Sequence, residues 1–518
     1  MLRRGSSMKA FLAYLPFNTA EKRGITMLEQ KINTLRDKKA IKLLTGFFDG
    51  NIYPAVYAVL ALVCSFVGFE LIFFTVTAAI IVATTLFCRD TKSTFVPLVL
   101  AVYAVSQRHT PQPPYNFDYL YSTAFLVTVG CLLAVVLAVM IFRLIAYKGT
   151  GNVFRTRTKA RWGLFALGAA LLLNGVFYGD YTIKNLFGGI ALALSFVWFY
   201  IYFYNTLEWK EDTAGYAARL LVLAGAVILL QLAEVYIFDG AVDGGSINKG
   251  ALVLGWGMSN NIGGMLATFM PASFYLAYKS RCGIAYYIFG FAVFAGVILT
   301  LSRTSVLVAS AVFLICIILL SIKGRHVRFI RIFNIALVAV LAVLAAVFAD
   351  ELARIFRYYL DRGLDDSGRF EIWKNGVRNF LRAPVFGVGF YTPIAPDWSY
   401  NIENWLFPDM YHNTIIQLLA SCGVFGVLAY LFHIVQGCFL VFKRSTAERI
   451  FYFFVILVLS GISMGDNHLF HVFPALVYSA LIALCEKDSE FCEGKETSVS
   501  GEKNDKVVKP EGENETSL

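Results

Sequence analysis

Apolar residues run along this chain in long unbroken stretches rather than in alternation with polar ones. Continuous apolar runs of about 20 residues read as membrane-crossing helices, whereas strands facing water on one side would alternate. About fourteen such runs follow one another, near 53–67, 69–87, 94–107, 122–146, 163–178, 186–204, 216–238, 257–278, 284–302, 304–322, 330–349, 412–438, 450–464 and 470–485. The pattern predicts an all-α polytopic bundle of about 12–14 transmembrane helices. The runs near 53, 94, 163 and 450 are short for a crossing and read as tilted, longer than drawn, or re-entrant.

One polar segment, 350–411, interrupts this pattern between two apolar runs. Within it, Ser367 or Asp366 is placed to cap a helix reaching about Leu381. Phe370, Trp373, Val377, Phe380 and Leu381 share one helical face, while Arg369, Glu371, Lys374 and Arg378 lie away from it. That spacing predicts an amphipathic helix on the membrane surface or capping the bundle. Pro384 ends it, and Gly387 and Gly389 permit a tight turn behind it. The organisation expected is a basic arm over 1–52, a membrane domain over 53–485 that contains the 350–411 loop, and a disordered tail over 486–518.

Basic residues set the orientation. The arm carries Arg3, Arg4, Lys9, Lys22, Arg23, Lys31, Arg36, Lys38, Lys39 and Lys42. With that arm in the cytoplasm, alternation brings Arg89/Lys92, Lys148–Arg161, Lys210/Arg219, Lys279/Arg281, Lys323–Arg331 and Lys443–Arg449 to the same side. This is the positive-inside pattern, with both termini cytoplasmic. The 350–411 loop and the turn at Ser302-Arg303-Thr304 then lie outside.

Composition agrees. Of 518 residues, 58% are hydrophobic, the mean hydropathy is +0.64 and 15% are charged, against roughly 25% in an average soluble domain. The formal charge of +10 is spread over inter-span connections, which argues for topology signals and against a nucleic-acid partner. Nine cysteines are scattered without CxxC or metal-type spacing, so neither a disulfide framework nor a zinc site is expected. Ala10–Phe17 is too short, and holds Pro16, to be the core of a cleavable signal.

Three outer-face residues carry candidate chemistry. Arg303 interrupts an apolar-dominated stretch from Ile284 to Ile322. A charge there is costly in lipid and should face the bundle or water. It reads either as a hairpin arginine snorkelling to headgroups or as an anion site, since guanidinium binds phosphate oxygens bidentately. Arg369, in the first turn of the loop helix, is an exposed surface cation or the second prong of that clamp. His412, at the head of the next run, is an interfacial polar residue or a general base. His433 lies 21 residues on, about 30 Å along a helix, and belongs at the opposite face. Ser259-Asn260-Asn261 offer amides for a sugar or for helix packing. His468 and His471 flank a turn after Asp466-Asn467. Glu234, Asp365 and Asp366 are carboxylates that could replace His412 as base. No Asp/His set has divalent-metal spacing, so a site without metal or cofactor is expected, and the GxG at 387–389 follows no strand and is no dinucleotide fingerprint.

Taken in order, Leu301-Ser-Arg-Thr, Ser367-Gly-Arg-(x)3-Trp, Pro384-(x)2-Gly-Val-Gly and His412-Asn-(x)3-Gln-Leu-Leu-Ala-(x)2-Gly423-(x)2-Gly resemble the O-antigen ligase/polymerase family, over roughly 257–440. The resemblance implies a GT-C-like helical enzyme of the bacterial inner membrane with a large extracytoplasmic loop. It would move a glycan from undecaprenyl diphosphate to a glycan or lipid acceptor. Arg303 and Arg369 map onto the family's diphosphate binders, and His412 onto its presumed activator of the acceptor hydroxyl. Trp373 and Gly389 match as structural elements, and Trp373 joins Asn413, Asn260 and Asn261 as expected substrate contacts. A flippase and a chain-length regulator are the protein partners such an enzyme would meet. Polymerisation of an O-antigen, capsule or exopolysaccharide repeat is the leading reading, with ligation to lipid A-core as runner-up. A transporter of lipid-linked sugar is the alternative from another class. It would call for inverted repeats and midplane charges, and the unusual residues here gather at one face instead.

Overall fold

Backbone N–H and C=O groups find no water in hydrocarbon, so each apolar run must close its own hydrogen bonds, and a helix does this within one segment. A computed structural model describes residues 30–106, 122–146, 159–238, 241–243, 246–350, 353, 368–395, 410–442 and 446–505. Each of the fourteen expected runs falls on a helix. The N-terminal half gives α1 (Lys39–Asp49), α2 (Ile52–Val67), α3 (Glu70–Phe87), α4 (Lys92–Leu100, prolonged by a 3-10 turn to Ala104), α5 (Thr123–Ala146), α6 (Arg161–Leu172), α7 (Ile183–Thr206) and α8 (Thr213–Phe238). Two short antiparallel hairpins follow, β1 (Val242–Asp243) with β2 (Ser246–Ile247) and β3 (Val253–Leu254) with β4 (Gly257–Met258). The 3-10 turn Lys249–Ala251 lies between them. The C-terminal half gives α9 (Ser259–Lys279), α10 (Gly283–Leu299), α11 (Arg303–Ile322), α12 (Val327–Val347), α13 (Arg369–Arg382), α14 (Thr414–Phe442), α15 (Ala447–Asp466) and α16 (Val472–Asp505).

Among the described residues, α3, α5, α7, α8, α11, α12, α14 and α15 are long and apolar enough to cross a membrane. The pair α1–α2, bent by 75°, makes a ninth if it is one span. α4 with its 3-10 turn, α6 and α10 are shorter apolar helices. One length left open is now fixed, as longer than drawn, and one differs from the sequence expectation. The run near 450 is a full helix of 20 residues. The run at 284–302 stops at Leu299, because Leu301 turns into a left-handed conformation (φ 55°) before Arg303 restarts the chain as helix. α5 and α12 bury only 11% and 6% of their apolar windows. Faces this apolar and this open are stable only against lipid. The opposite case is α9, less apolar and buried along nearly its whole length, packed against α8, α10, α11 and α15. The chain is thus an all-α polytopic membrane bundle built around α9.

Non-helical backbone enters this bundle at one place of note. α13 ends at Arg382, ahead of Pro384, and residues 384–391 follow as a run of turns, with Gly387 and Gly389 at positive φ, packed against a break in α14 at Gly423 (φ 65°, ψ −161°). Val388 and Gly389 N–H groups donate to the Ala420 and Ser421 carbonyls at 2.8 and 3.1 Å. Val424 N–H donates to the Pro384 carbonyl at 2.8 Å. The side-chain oxygens of Asn174 and Asn185 accept from the Phe390 and Tyr391 amides. Every one of these groups is paired inside protein, as irregular backbone at membrane depth requires. α6 stops at Leu172 for the same reason. The residues after it turn so that Asn174 meets this segment and Gly175 N–H reaches the Phe386 carbonyl.

Two further expectations change. The disordered tail does not begin at Glu486: α16 continues through it, and Glu486, Lys487, Asp488 and Ser489 are buried. Tyr200 donates to Glu486, Lys159 Nζ reaches Ser489 Oγ at 2.6 Å, and Arg449 pairs with Asp488 at 3.5 Å. The loop helix is capped by Gly368 (φ 77°), while Ser367, Asp366 and Asp365 lie outside the described residues.

At Gly423, a Cβ would collide with the Val385 backbone, in a region of φ/ψ that side chains avoid. Gly423→Ala is expected to destabilise the protein by about 1–3 kcal/mol or more. Gly437→Ala, with nothing within 4 Å of its added methyl, is expected to be neutral or stabilising by up to about 1 kcal/mol. Thermal unfolding of the detergent-purified variants checks this, and equal melting of the two would contradict it.

Candidate functional site at one end of the bundle

Helix α13 docks on α14 through Ile372, Asn375, Gly376 and Asn379, the buried positions of its sequence. Of the apolar face expected for this helix, Trp373 and Phe380 are partly buried and the rest turns outward. Phe370, Val377 and Leu381 are 65%, 43% and 69% exposed and point away from the protein. Against lipid, the apolar edge of a surface helix faces out, and small or amide side chains face the bundle. Gly376 is small because a Cβ there would strike Ile416 and the Tyr411 ring. Trp373 donates its indole N–H to the Tyr411 carbonyl at 2.9 Å, and Asn379 donates to the Tyr411 hydroxyl at 2.8 Å. Trp373 therefore clamps the residue that precedes His412.

His412 sits at φ 51°, a conformation that costs a non-glycine residue about 1–3 kcal/mol. It is held there from several sides. Asn413 caps α14 by accepting from the Ile415 and Ile416 amides, and its amide donates to the Met464 carbonyl. Gln417 Oε1 accepts from both Tyr411 N–H and Asn467 Nδ2. The result places His412 Nδ1 2.9 Å from Asp466 Oδ1. The other carboxylate oxygen lies 3.8 Å from His468 Nε2, which meets the Asn260 carbonyl at 3.2 Å. His468 is buried, and burial pushes it below the usual imidazole range, with Asp466 and the Asn260 bond opposing. His471 lies edge-on to His468, with ring centres 6.1 Å apart.

Three cations share this end. Arg303 is exposed at the start of α11, where Thr304 packs on Gly465, the neighbour of Asp466. Arg369 is half-buried at the start of α13 and makes no hydrogen bond or ion pair among the described residues. It acts electrostatically on Asp466. Lys249, on the 3-10 turn, donates to Asn260 Oδ1 at 3.4 Å. Its pKa is lowered, first by lost hydration, then by Arg303 and by Arg369, while Asp466 opposes. One carboxylate and three cations thus occupy one electrostatic neighbourhood.

The expected residues divide accordingly. Arg303, Arg369, His412, Asn413 and Asn260 come together, and Trp373 supports them. Asn261 instead accepts from the Met258 amide at the head of α9. Glu234 lines a small cavity with Ser65, Gln231 and Gly255. His433 is bonded to the Tyr478 hydroxyl at 2.7 Å. Asp466 as the partner of His412, and Lys249, were missed. A signal existed for each. Asp466 is a carboxylate ending an apolar run on the Arg303 side, and Lys249 is a lysine in an outer connection, against the charge rule. The non-glycine residues with positive φ among the described residues are Leu301, His412 and Asn467, which flank or form this site. No group of three or more His, Cys, Asp or Glu there is arranged to hold a metal ion.

No curated protein matches the chain. Residues 288–431 match the family model described as O-antigen ligase. The matched stretch holds Arg303, Arg369 and His412, whereas Lys249 and Asn260 precede it and Asp466 and His468 follow it. The match supports the O-antigen ligase/polymerase family over residues 288–431, a stretch that lies within a multi-pass membrane bundle.

Proposed function

We propose that the chain transfers a glycan from undecaprenyl diphosphate to a hydroxyl acceptor at the extracytoplasmic face of a bacterial inner membrane. The observation that carries this reading is the His412–Asp466 pair beside two arginines. Asp466 accepts from Nδ1–H and fixes the tautomer in which Nε2 is a base. The acceptor O–H gives its proton to Nε2 as its oxygen attacks the anomeric carbon. The bond from that carbon to the diphosphate oxygen breaks, and the electron pair leaves with the diphosphate. Arg303 and Arg369 stabilise the charge that develops there. Asp466 stabilises the imidazolium that forms. A lipid-linked donor suits this side of the membrane, where nucleotide sugars are absent.

Orientation follows from the two ends of the bundle. The end carrying Lys279, Arg281, Lys323 and Arg449 is read as cytoplasmic by the charge rule, which leaves the site end outside. Both termini are then cytoplasmic. A flippase delivering donor and a chain-length regulator are the proposed protein partners. Polymerisation of a repeat unit is the first reading of the acceptor step, and the description of the matched family favours ligation as the second. Glycan profiling of a deletion strain separates them: single repeat units on lipid or acceptor mean polymerase, and full-length chains stranded on undecaprenyl diphosphate mean ligase.

Two variant sets test the chemistry in a purified transfer assay read by gel laddering. His412→Ala is expected to lower turnover by about 10²–10⁴, and Asp466→Asn by about 10² with donor binding kept. Arg303→Ala and Arg369→Ala are each expected to lower turnover by about 10²–10³. A folded His412→Ala or Arg369→Ala protein with full activity would remove the corresponding role.

A further inference from the structure

The reading above assigns two of the three cations. Lys249 was singled out by geometry alone. It heads a turn whose backbone is fixed: Asn248 accepts from the Gly250 amide at 2.9 Å, and Ala251 and Leu252 are buried beneath it. The side chain projects from this anchored turn and is exposed. Its bond to the neutral amide oxygen of Asn260, 3.4 Å, is long for an ammonium. Through Asn260 it connects by successive contacts to His468, Asp466 and His412.

We propose that Lys249 is the third phosphate-binding cation of this site, exchanging Asn260 for the diphosphate of the lipid-linked donor held by Arg303 and Arg369. The proposal rests on the diphosphate reading of the site and names a residue that the matched stretch does not contain. Charge supports it. When the sugar leaves, the breaking bond puts its electron pair on the diphosphate, which becomes a monoester with a third ionisable oxygen. A third cation within reach of the first two stabilises that added charge. Lost hydration is the first cause that lowers the pKa of Lys249, and the repulsion of Arg303 and Arg369 adds to it; an anion bound beside them would oppose both.

The test uses the full chain in lipid nanodiscs, with undecaprenyl diphosphate and undecaprenyl monophosphate as probes and thermal unfolding measured on the same samples. Lys249→Ala is expected to weaken diphosphate binding about 10-fold and monophosphate binding less than about 3-fold. Lys249→Arg, which keeps the charge, is expected to stay within about 2-fold of wild type. Lys249→Gln serves if the alanine variant melts early. Wild-type affinity in Lys249→Ala, with Arg303→Ala weakened, overturns the role of Lys249 and leaves the reading of the site intact. Equal losses for both lipids without rescue by arginine also overturn it, as a structural effect. Unchanged affinity in Arg303→Ala and Arg369→Ala as well would sink the diphosphate reading itself.

Discussion

A backbone polar group left unpaired in hydrocarbon costs several kcal/mol, and the site exists because this chain leaves the helix only where that cost is met. The turns at 384–391 meet the break at Gly423, and the turns at Tyr411 and Asn467 meet at Gln417, though far apart in sequence. Each of these breaks is paid for by a named acceptor or donor, such as Asn174 and Asn185 for the segment 384–391 and Gln417 for the turns at Tyr411 and Asn467. Each also re-aims a side chain that a continuous helix would leave pointing into its neighbours. The N-terminal half, which shares only hydropathy with the resemblance, thus supplies structural amides to the C-terminal half.

The two ends of the bundle handle charge differently. At the end away from the site, cations have carboxylates. Lys279 meets Glu448 at 2.6 Å, and the fully buried Arg449 faces Asp488 at 3.5 Å. At the site end, Arg369 is half-buried without such a partner among the described residues, and the nearby carboxylate, Asp466, is engaged by His412. A cation kept from water without a fixed counter-ion is unfavourable unless an anion arrives to compensate it. The asymmetry is what an anion-binding cleft requires and what a purely structural ion network would lack.

Much of the fold was legible in the sequence because hydropathy reports helices directly, and each of the fourteen runs is helical. The arginines were legible because a charge in an apolar run has few places to go. Other features were hidden for physical reasons. Asp466 and His412 are 54 residues apart and meet only through the packing of α14 on α15. Lys249 belongs to a loop whose position depends on the burial of Ala251 and Leu252. The placement of α13 stayed open, on the membrane surface or capping the bundle, because apolar spacing gives a period but not which neighbour, protein or lipid, takes the apolar face. Glu486 to Ser489 were read as tail because composition cannot see that Tyr200, Lys159 and Arg449 wait for them.

The outward apolar edge of α13 has a functional consequence on the proposed reading. A polyprenyl diphosphate is held by its tail, so its phosphates stay at the depth where acyl chains meet headgroups. A helix whose exposed edge is Phe370, Val377 and Leu381 settles at that same depth. Its first residue, Arg369, then meets the phosphates without the lipid leaving the membrane. On its bundle side the same helix grips Tyr411 through Trp373 and Asn379 and so fixes His412. One surface helix therefore sets the height of the leaving group and the position of the base together, and the distance between them is governed by rigid packing rather than by diffusion of the donor.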